Sequence, residues 1–147
     1  MSLVSKLLSG GFTFWFAISQ ILMGMPAAYA QSDLIDVEPP LIEHNVVGAV
    51  EPAARQSFFA TVVDDAELDS VSLYYRFQND PNYSTVAMQR VSYSSTYIAH
   101  IQTDADSPRN IEYYIQAQDK AGNRTVRGYA FNPLLREMIS RNNGLNA

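Results

Sequence analysis

From residue 36 onward, apolar and polar side chains alternate in short runs separated by turn-forming residues. Alternation at a period of two marks a half-buried strand. The clearest runs put Phe58, Ala60 and Val62 on one face of residues 56–63, and Val71, Leu73 and Tyr75 on one face of 70–77. Tyr97, Ala99 and Ile101 share a face of 97–102, and Ile111, Tyr113, Ile115 and Ala117 share a face of 111–119. Weaker runs at 41–47, 85–91 and 125–131 bring the expected total to seven strands. Pro39 and Pro40 make the first an edge strand, because proline cannot donate to a ladder. Asn79-Asp80-Pro81-Asn82 and Lys120-Ala121-Gly122-Asn123 are turn sequences. Gly128 breaks the last alternation, and a bulge is expected there.

Seven short strands with no helix between them predict an all-β domain, an antiparallel sandwich over residues 41–132 behind an extended linker at 31–40. The tail, 133–147, has a different pattern. Leu134, Leu135, Met138 and Ile139 stand at i, i+1, i+4 and i+5, the spacing of one apolar face of a short C-terminal helix. So short a helix is marginal alone, so it packs on the sandwich or docks on a partner, and the residues after it fray.

Residues 1–30 follow another rule again. Lys6 is the first charged side chain and Asp33 the next, and the stretch between ends in Ala28-Tyr29-Ala30. A basic start, an apolar middle and a small-x-small end predict a secretory signal peptide cut after Ala30. The product would be periplasmic or secreted, and would meet a membrane only if the segment stayed uncleaved. The 147-residue chain has no cysteine, so neither disulfides nor a lipid anchor on cysteine are available, and a single core must carry the stability. Losing Lys6 leaves nine basic and fifteen acidic side chains, a net charge of −6. That balance disfavours nucleic acid and anionic membrane as partners.

Chemistry is sparse in the sequence. There is no glycine-rich phosphate loop, no zinc spacing and no HExxH run, and no cofactor is expected. Alternation points His44 and His100 outward or to an edge. Asp64, Asp65, Glu67 and Asp69, joined by Asp119, make the best set for a hard cation such as calcium. They lack the spacing of a known calcium loop, and a solvated acidic loop is expected instead.

Three segments carry a family resemblance: Phe58-Phe59-Ala60-Thr61-Val62-Val63-Asp64-Asp65, Val71-Ser72-Leu73-Tyr74-Tyr75-Arg76, and the run at 111–123 with Tyr113-Tyr114, Asp119 and Gly122-Asn123. Together they resemble the bacterial immunoglobulin-like and fibronectin type III-like modules of exported proteins, over residues 40–132. Trp15 lies in the leader and no cysteine pair exists, which favours the fibronectin-like end. The resemblance implies that Tyr113 is a corner tyrosine, its hydroxyl bonded to backbone at the adjoining corner. Asp119 and Asn123 would cap the last hairpin, with Gly122 at positive φ.

It also implies one sheet shared by the third, sixth and seventh strands, with Tyr74, Arg76, Glu112, Tyr114 and Gln116 facing out. Such modules bind or space other molecules and need not catalyse anything. The expected function is therefore a non-catalytic module that meets a protein partner in the cell envelope. Contact would run through Tyr74, Arg76, Tyr114 and Gln116, or through Leu134, Leu135, Met138 and Ile139. The alternative is a carbohydrate-binding accessory of a cell-wall or polysaccharide system. Tyr74 and Tyr114 also fit a plain cross-strand pair that only stabilises the sheet.

Overall fold

Ten strands make up residues 35–139, which this computed structural model describes, and none of the described residues is helical. The expected leader at 1–30 and the tail end at 140–147 lie outside the described residues. The strands are β1 (Leu41–Glu43), β2 (Ala49–Val50), β3 (Arg55–Val63), β4 (Leu68–Phe77), β5 (Ser84–Ala87), β6 (Gln89–Arg90), β7 (Thr96–Gln102), β8 (Ile111–Asp119), β9 (Arg124–Arg127) and β10 (Leu134–Met138). One sheet has the order β1-β3-β7-β6. The other has the order β2-β10-β8-β4-β5, with β9 also paired to β8. Two sheets with one shared core are compatible with a β-sandwich.

Alternation sets which faces meet. β8 alternates buried and half-buried along its whole length, with Ile111, Tyr113, Ile115 and Ala117 inward. Phe58, Ala60 and Val62 of β3, Val71 and Leu73 of β4, and Ala99 and Ile101 of β7 complete the core, joined by Ile42 and Met88. Tyr75 and Tyr97 are only partly buried at its margin. Each large apolar side chain moved fully out of water contributes roughly 1.5–3 kcal/mol, so this shared face is the main stabilising element.

Three expectations need correction. The strand at 41–47 ends at Glu43, and the chain then crosses to the other sheet, where Glu137 and Met138 of β10 pair in parallel with Ala49 and Val50. The strand at 85–91 is likewise two pieces: β5 pairs with β4, whereas β6 pairs with β7. Met88, buried between them, is where the chain changes sheets. These breaks help raise the count from seven to ten.

The largest correction is the tail. Residues 134–138 are strand β10, pairing antiparallel with β8 through Leu134↔Tyr113, Leu135↔Glu112 and Arg136↔Ile111. A helix would leave the β8 edge at 111–113 without hydrogen-bond partners on this side. β9 covers the same edge further along, from Ile115 to Gln118. The run expected at 125–131 thus stops at Arg127, and the strand resumes as β10 after a break.

Gly128 makes that break. Its φ is +79°, and a Cβ there would meet Leu134 Cγ at 3.0 Å and Tyr114 Cβ at 3.2 Å. Gly128→Ala is expected to cost roughly 1–3 kcal/mol through backbone strain and crowding together. Chemical denaturation of the variant beside Gly48→Ala measures this, since an added Cβ at Gly48 meets nothing within 4 Å. Equal midpoints for the two variants would contradict the assignment.

Candidate functional site

The outer face of the β4–β8 pair carries the aromatic residues singled out by sequence. Tyr74 and Tyr114 are direct cross-strand partners, and their rings stack at 4.6 Å with planes 3° apart. Tyr83 meets Tyr114 edge-on at 5.2 Å, and the Arg76 guanidinium lies 4.6 Å above the Tyr83 ring. Arg76 Nε donates to Glu112 Oε2 at 2.6 Å. Gln116 is half-buried on the same strand. The side chains are engaged with one another, which is the arrangement of a sheet-stabilising cluster.

A second aromatic pair stands further out. Between β9 and β10 the chain turns at 129–132, closed by reciprocal backbone hydrogen bonds between Tyr129 and Asn132. Tyr129 is 50 % exposed and Phe131 87 %, and their rings stack at 5.2 Å. Tyr83 Oη donates to the Ala130 carbonyl at 3.1 Å, which fastens this turn to the aromatic face. In the sequence, Gly128 breaks the alternation that would orient these two rings. Of the tail residues, Leu134 and Met138 pack against the core and Leu135 is half-buried, whereas Ile139 is exposed.

A polar cluster lies inside the domain, and the sequence reading missed it. His44, expected on the surface, is buried. Its Nδ1 lies 2.6 Å from the Phe59 carbonyl oxygen, so that nitrogen carries the proton and donates. Nε2 then accepts from the Tyr113 hydroxyl at 2.9 Å. Tyr113 therefore bonds a side chain and not the corner backbone expected of it. Arg136, 4 % exposed, comes from β10, lies 3.8 Å over the Phe58 ring, and donates from Nη1 to the Ser57 carbonyl at 2.7 Å. Period two offered a signal: Ile42 inward puts His44 inward as well.

Burial holds the His44 imidazole below its ordinary value. The bond to Phe59 opposes that shift, while the charges of Arg136 and Arg127 add to it. A histidine lowered in the fold binds fewer protons than in the unfolded chain, so its contribution is present above the unfolded value and fades as pH falls below it. Stability is expected to decline as pH drops from about 6.5, and less steeply in His44→Gln. Thermal unfolding across that range checks it, and parallel profiles would exclude His44 as the cause.

The acidic residues gather at one end. Asp36, Asp64 and Asp65 bring carboxylate oxygens within 4.8 Å of one another. Burial raises the Asp64 carboxyl above its ordinary range, and Asp119, Asp36 and Asp65 push it further. One enclosed oxygen each on Asp36 and Asp64 has no hydrogen-bond partner. One oxygen from each of the three carboxylates suits a hard cation but falls short of calcium's six to eight ligands. Asp69 is exposed on β4 and stands outside this group.

Asp119 serves the turn instead. Its Oδ1 accepts from the Gly122 and Asn123 N–H groups and its Oδ2 from Asn123 Nδ2, while Gly122 takes φ +98°. Burial alone would raise its carboxyl, but those donors outweigh it and hold it low. Asn123 Nδ2 also reaches the Asp36 carbonyl at 3.1 Å, tying the segment ahead of β1 to this hairpin. His100 and Ser57, cross-strand partners on β7 and β3, share an exposed hydrogen bond of 2.8 Å.

Compared with known proteins, the chain matches no family model and no curated sequence.

Proposed function

We propose that this chain is an exported, non-catalytic module of the fibronectin type III-like kind that binds a protein partner in the cell envelope through its 129–132 turn. The fold reading is supported by the way β9 and β10 run in succession along the β8 edge, as two halves of one last strand. Paired β3 and β7 in one sheet and β4 with β8 in the other fit the same plan. Export is supported by the pattern of residues 1–30.

The observation that carries the binding reading is the Tyr129–Phe131 pair: two large, stacked, exposed rings on a turn fixed by backbone hydrogen bonds. Aromatic side chains held rigidly lose little entropy when a partner covers them, and they dominate many interfaces. The contact thus moves from Tyr74 and Tyr114, which stack on each other, to the turn beside them.

A photo-crosslinking residue placed at 129 or 131 and, as a control, at exposed Leu41 of the other sheet tests this in the native envelope. One dominant adduct at 129 and 131 and none at 41 is the expected result, and Tyr129→Ser with Phe131→Ser should weaken capture at least about tenfold. Equal labelling from all three positions would defeat the proposal. Retention of the chain on envelope glycan, lost in the same double variant, would favour the carbohydrate-binding alternative.

A further inference from the structure

An open cavity of about 280 Å³ lies beside β1 and β3, and its lining includes Glu43, His44, Val47, Phe59, Thr61 and Arg136. Its notable member is Arg136. A guanidinium does not give up its proton under ordinary conditions, so the fold holds a permanent charge that is almost wholly out of water. The ion pairs found among the described residues engage Arg76, Arg109 and Lys120, not Arg136. Nη1 has the Ser57 carbonyl and the guanidinium face has Phe58, but Nε has no hydrogen-bond partner. Neutral partners soften the burial of a cation without supplying its counter-charge.

The surroundings add to the positive field. His44 and Tyr113 both feel the charges of Arg136 and Arg127, and the phenol and imidazole beside Arg136 are uncharged donors and acceptors. The acidic group facing the cavity, Glu43, is exposed at its rim, where water screens it. Val47, Phe59 and Ala60 form an apolar wall. We propose that this cavity binds a carboxylate carried on a short apolar body, its charge set against Arg136 and its hydrocarbon against Val47, Phe59 and Ala60.

A single negative charge suits the site better than phosphate, whose second charge would add to the repulsion from Glu43. The volume also exceeds what one small ion needs, a water's share of liquid being about 30 Å³, so the apolar wall remains to be covered. Two sources present this chemistry: a free branched-chain carboxylate, or the C-terminus of a peptide ending in an apolar residue.

The test titrates the full chain with 3-methylbutanoate at fixed ionic strength, following backbone amide shifts of residues 43–47 and 59–61. 3-Methylbutanamide and inorganic phosphate serve as controls. Saturable shifts with the carboxylate and none with the amide or phosphate are expected. Glu43→Gln should tighten binding about two- to fivefold and Arg136→Gln weaken it at least about tenfold. Should Arg136→Gln fail to fold, Glu43→Gln and the amide control decide the matter by themselves. A peptide ending in valine, with its C-terminus free or amidated, separates the sources. Tighter binding of the free peptide than of 3-methylbutanoate assigns the site to a chain terminus, and the reverse order assigns it to the small acid. Equal shifts from carboxylate, amide and phosphate, or no saturation by carboxylate in either form, would overturn the proposal.

Discussion

Phe58→Ala is expected to destabilise the domain by about 3–5 kcal/mol, the range for emptying a fully buried aromatic site. Phe58 is completely enclosed, meets Tyr113 edge-on at 4.7 Å, and lies under the Arg136 guanidinium. The substitution therefore removes core volume and also strips the buried charge of the ring it lies on. A domain of this size has only about 5–15 kcal/mol in total, so a large share of the margin disappears. Phe58→Leu keeps most of the volume but loses the ring face, and should fall between the two. Urea unfolding followed by circular dichroism measures all three proteins. If Phe58→Leu matched the parent, the ring would be acting through its volume alone.

The second large effect belongs to the hydrogen bond between His44 and Tyr113. Tyr113→Phe should cost about 1–3 kcal/mol, because it leaves a buried imidazole nitrogen without its donor. His44→Leu should cost about 2–4 kcal/mol, since the Tyr113 hydroxyl and the Phe59 carbonyl both lose their partner. The double variant is the informative one. Removing both ends of a buried hydrogen bond spares the penalty of a lone polar atom, so its loss should fall short of the sum by about 1 kcal/mol or more. Strict additivity in the unfolding free energies would show that the two side chains do not act together.

These two effects explain where the sequence was legible and where it was not. In β3, β4, β7 and β8 most inward positions are apolar, and period two orders them correctly from Phe58 to Ala117, with Gln56 and Asp119 as buried polar exceptions near strand ends. His44 and Arg136 break the rule too: His44 follows the end of β1 in phase with inward Ile42, and Arg136 is a polar residue at the inward position of short β10. In β10 the buried position is Arg136, between half-buried Leu135 and exposed Glu137. A polar residue at the buried position breaks the strand alternation, and the remaining apolar residues Leu134, Leu135, Met138 and Ile139 keep a spacing that a helix also satisfies. What chose the strand was the vacant edge of β8, a tertiary fact no local window contains. His44 and Arg136 both meet Tyr113, one at its hydroxyl and the other at its ring.

The candidate site divided in the same way. The placing of Tyr74 and Tyr114 on one sheet, and the role of Asp119 and Gly122 in the last turn, were what the fibronectin type III-like resemblance implies, and the pairing and turn have that form. Tyr129 and Phe131 had no such guide, because their orientation is set by the left-handed backbone at Gly128 and by the bond from Tyr83. The gathering of Asp36 with Asp64 and Asp65 joins segments nearly thirty positions apart in sequence, and only the β1–β3 pairing brings them to one end.

The parallel pairing of β2 with β10 has a mechanical consequence. Two backbone hydrogen bonds, from Glu137 to Gly48 and from Ile139 to Val50, join segments near opposite ends of the described chain. Tension applied at residues 35 and 139 pulls parallel neighbours in opposite directions along their length, so both bonds bear load together and do not open in turn. Ahead of them, β1 clamps the other sheet and Asn123 holds the segment at Asp36. A module strung between two anchored neighbours would thus resist stretching at its two ends first, while the core between β4 and β8 stayed unloaded.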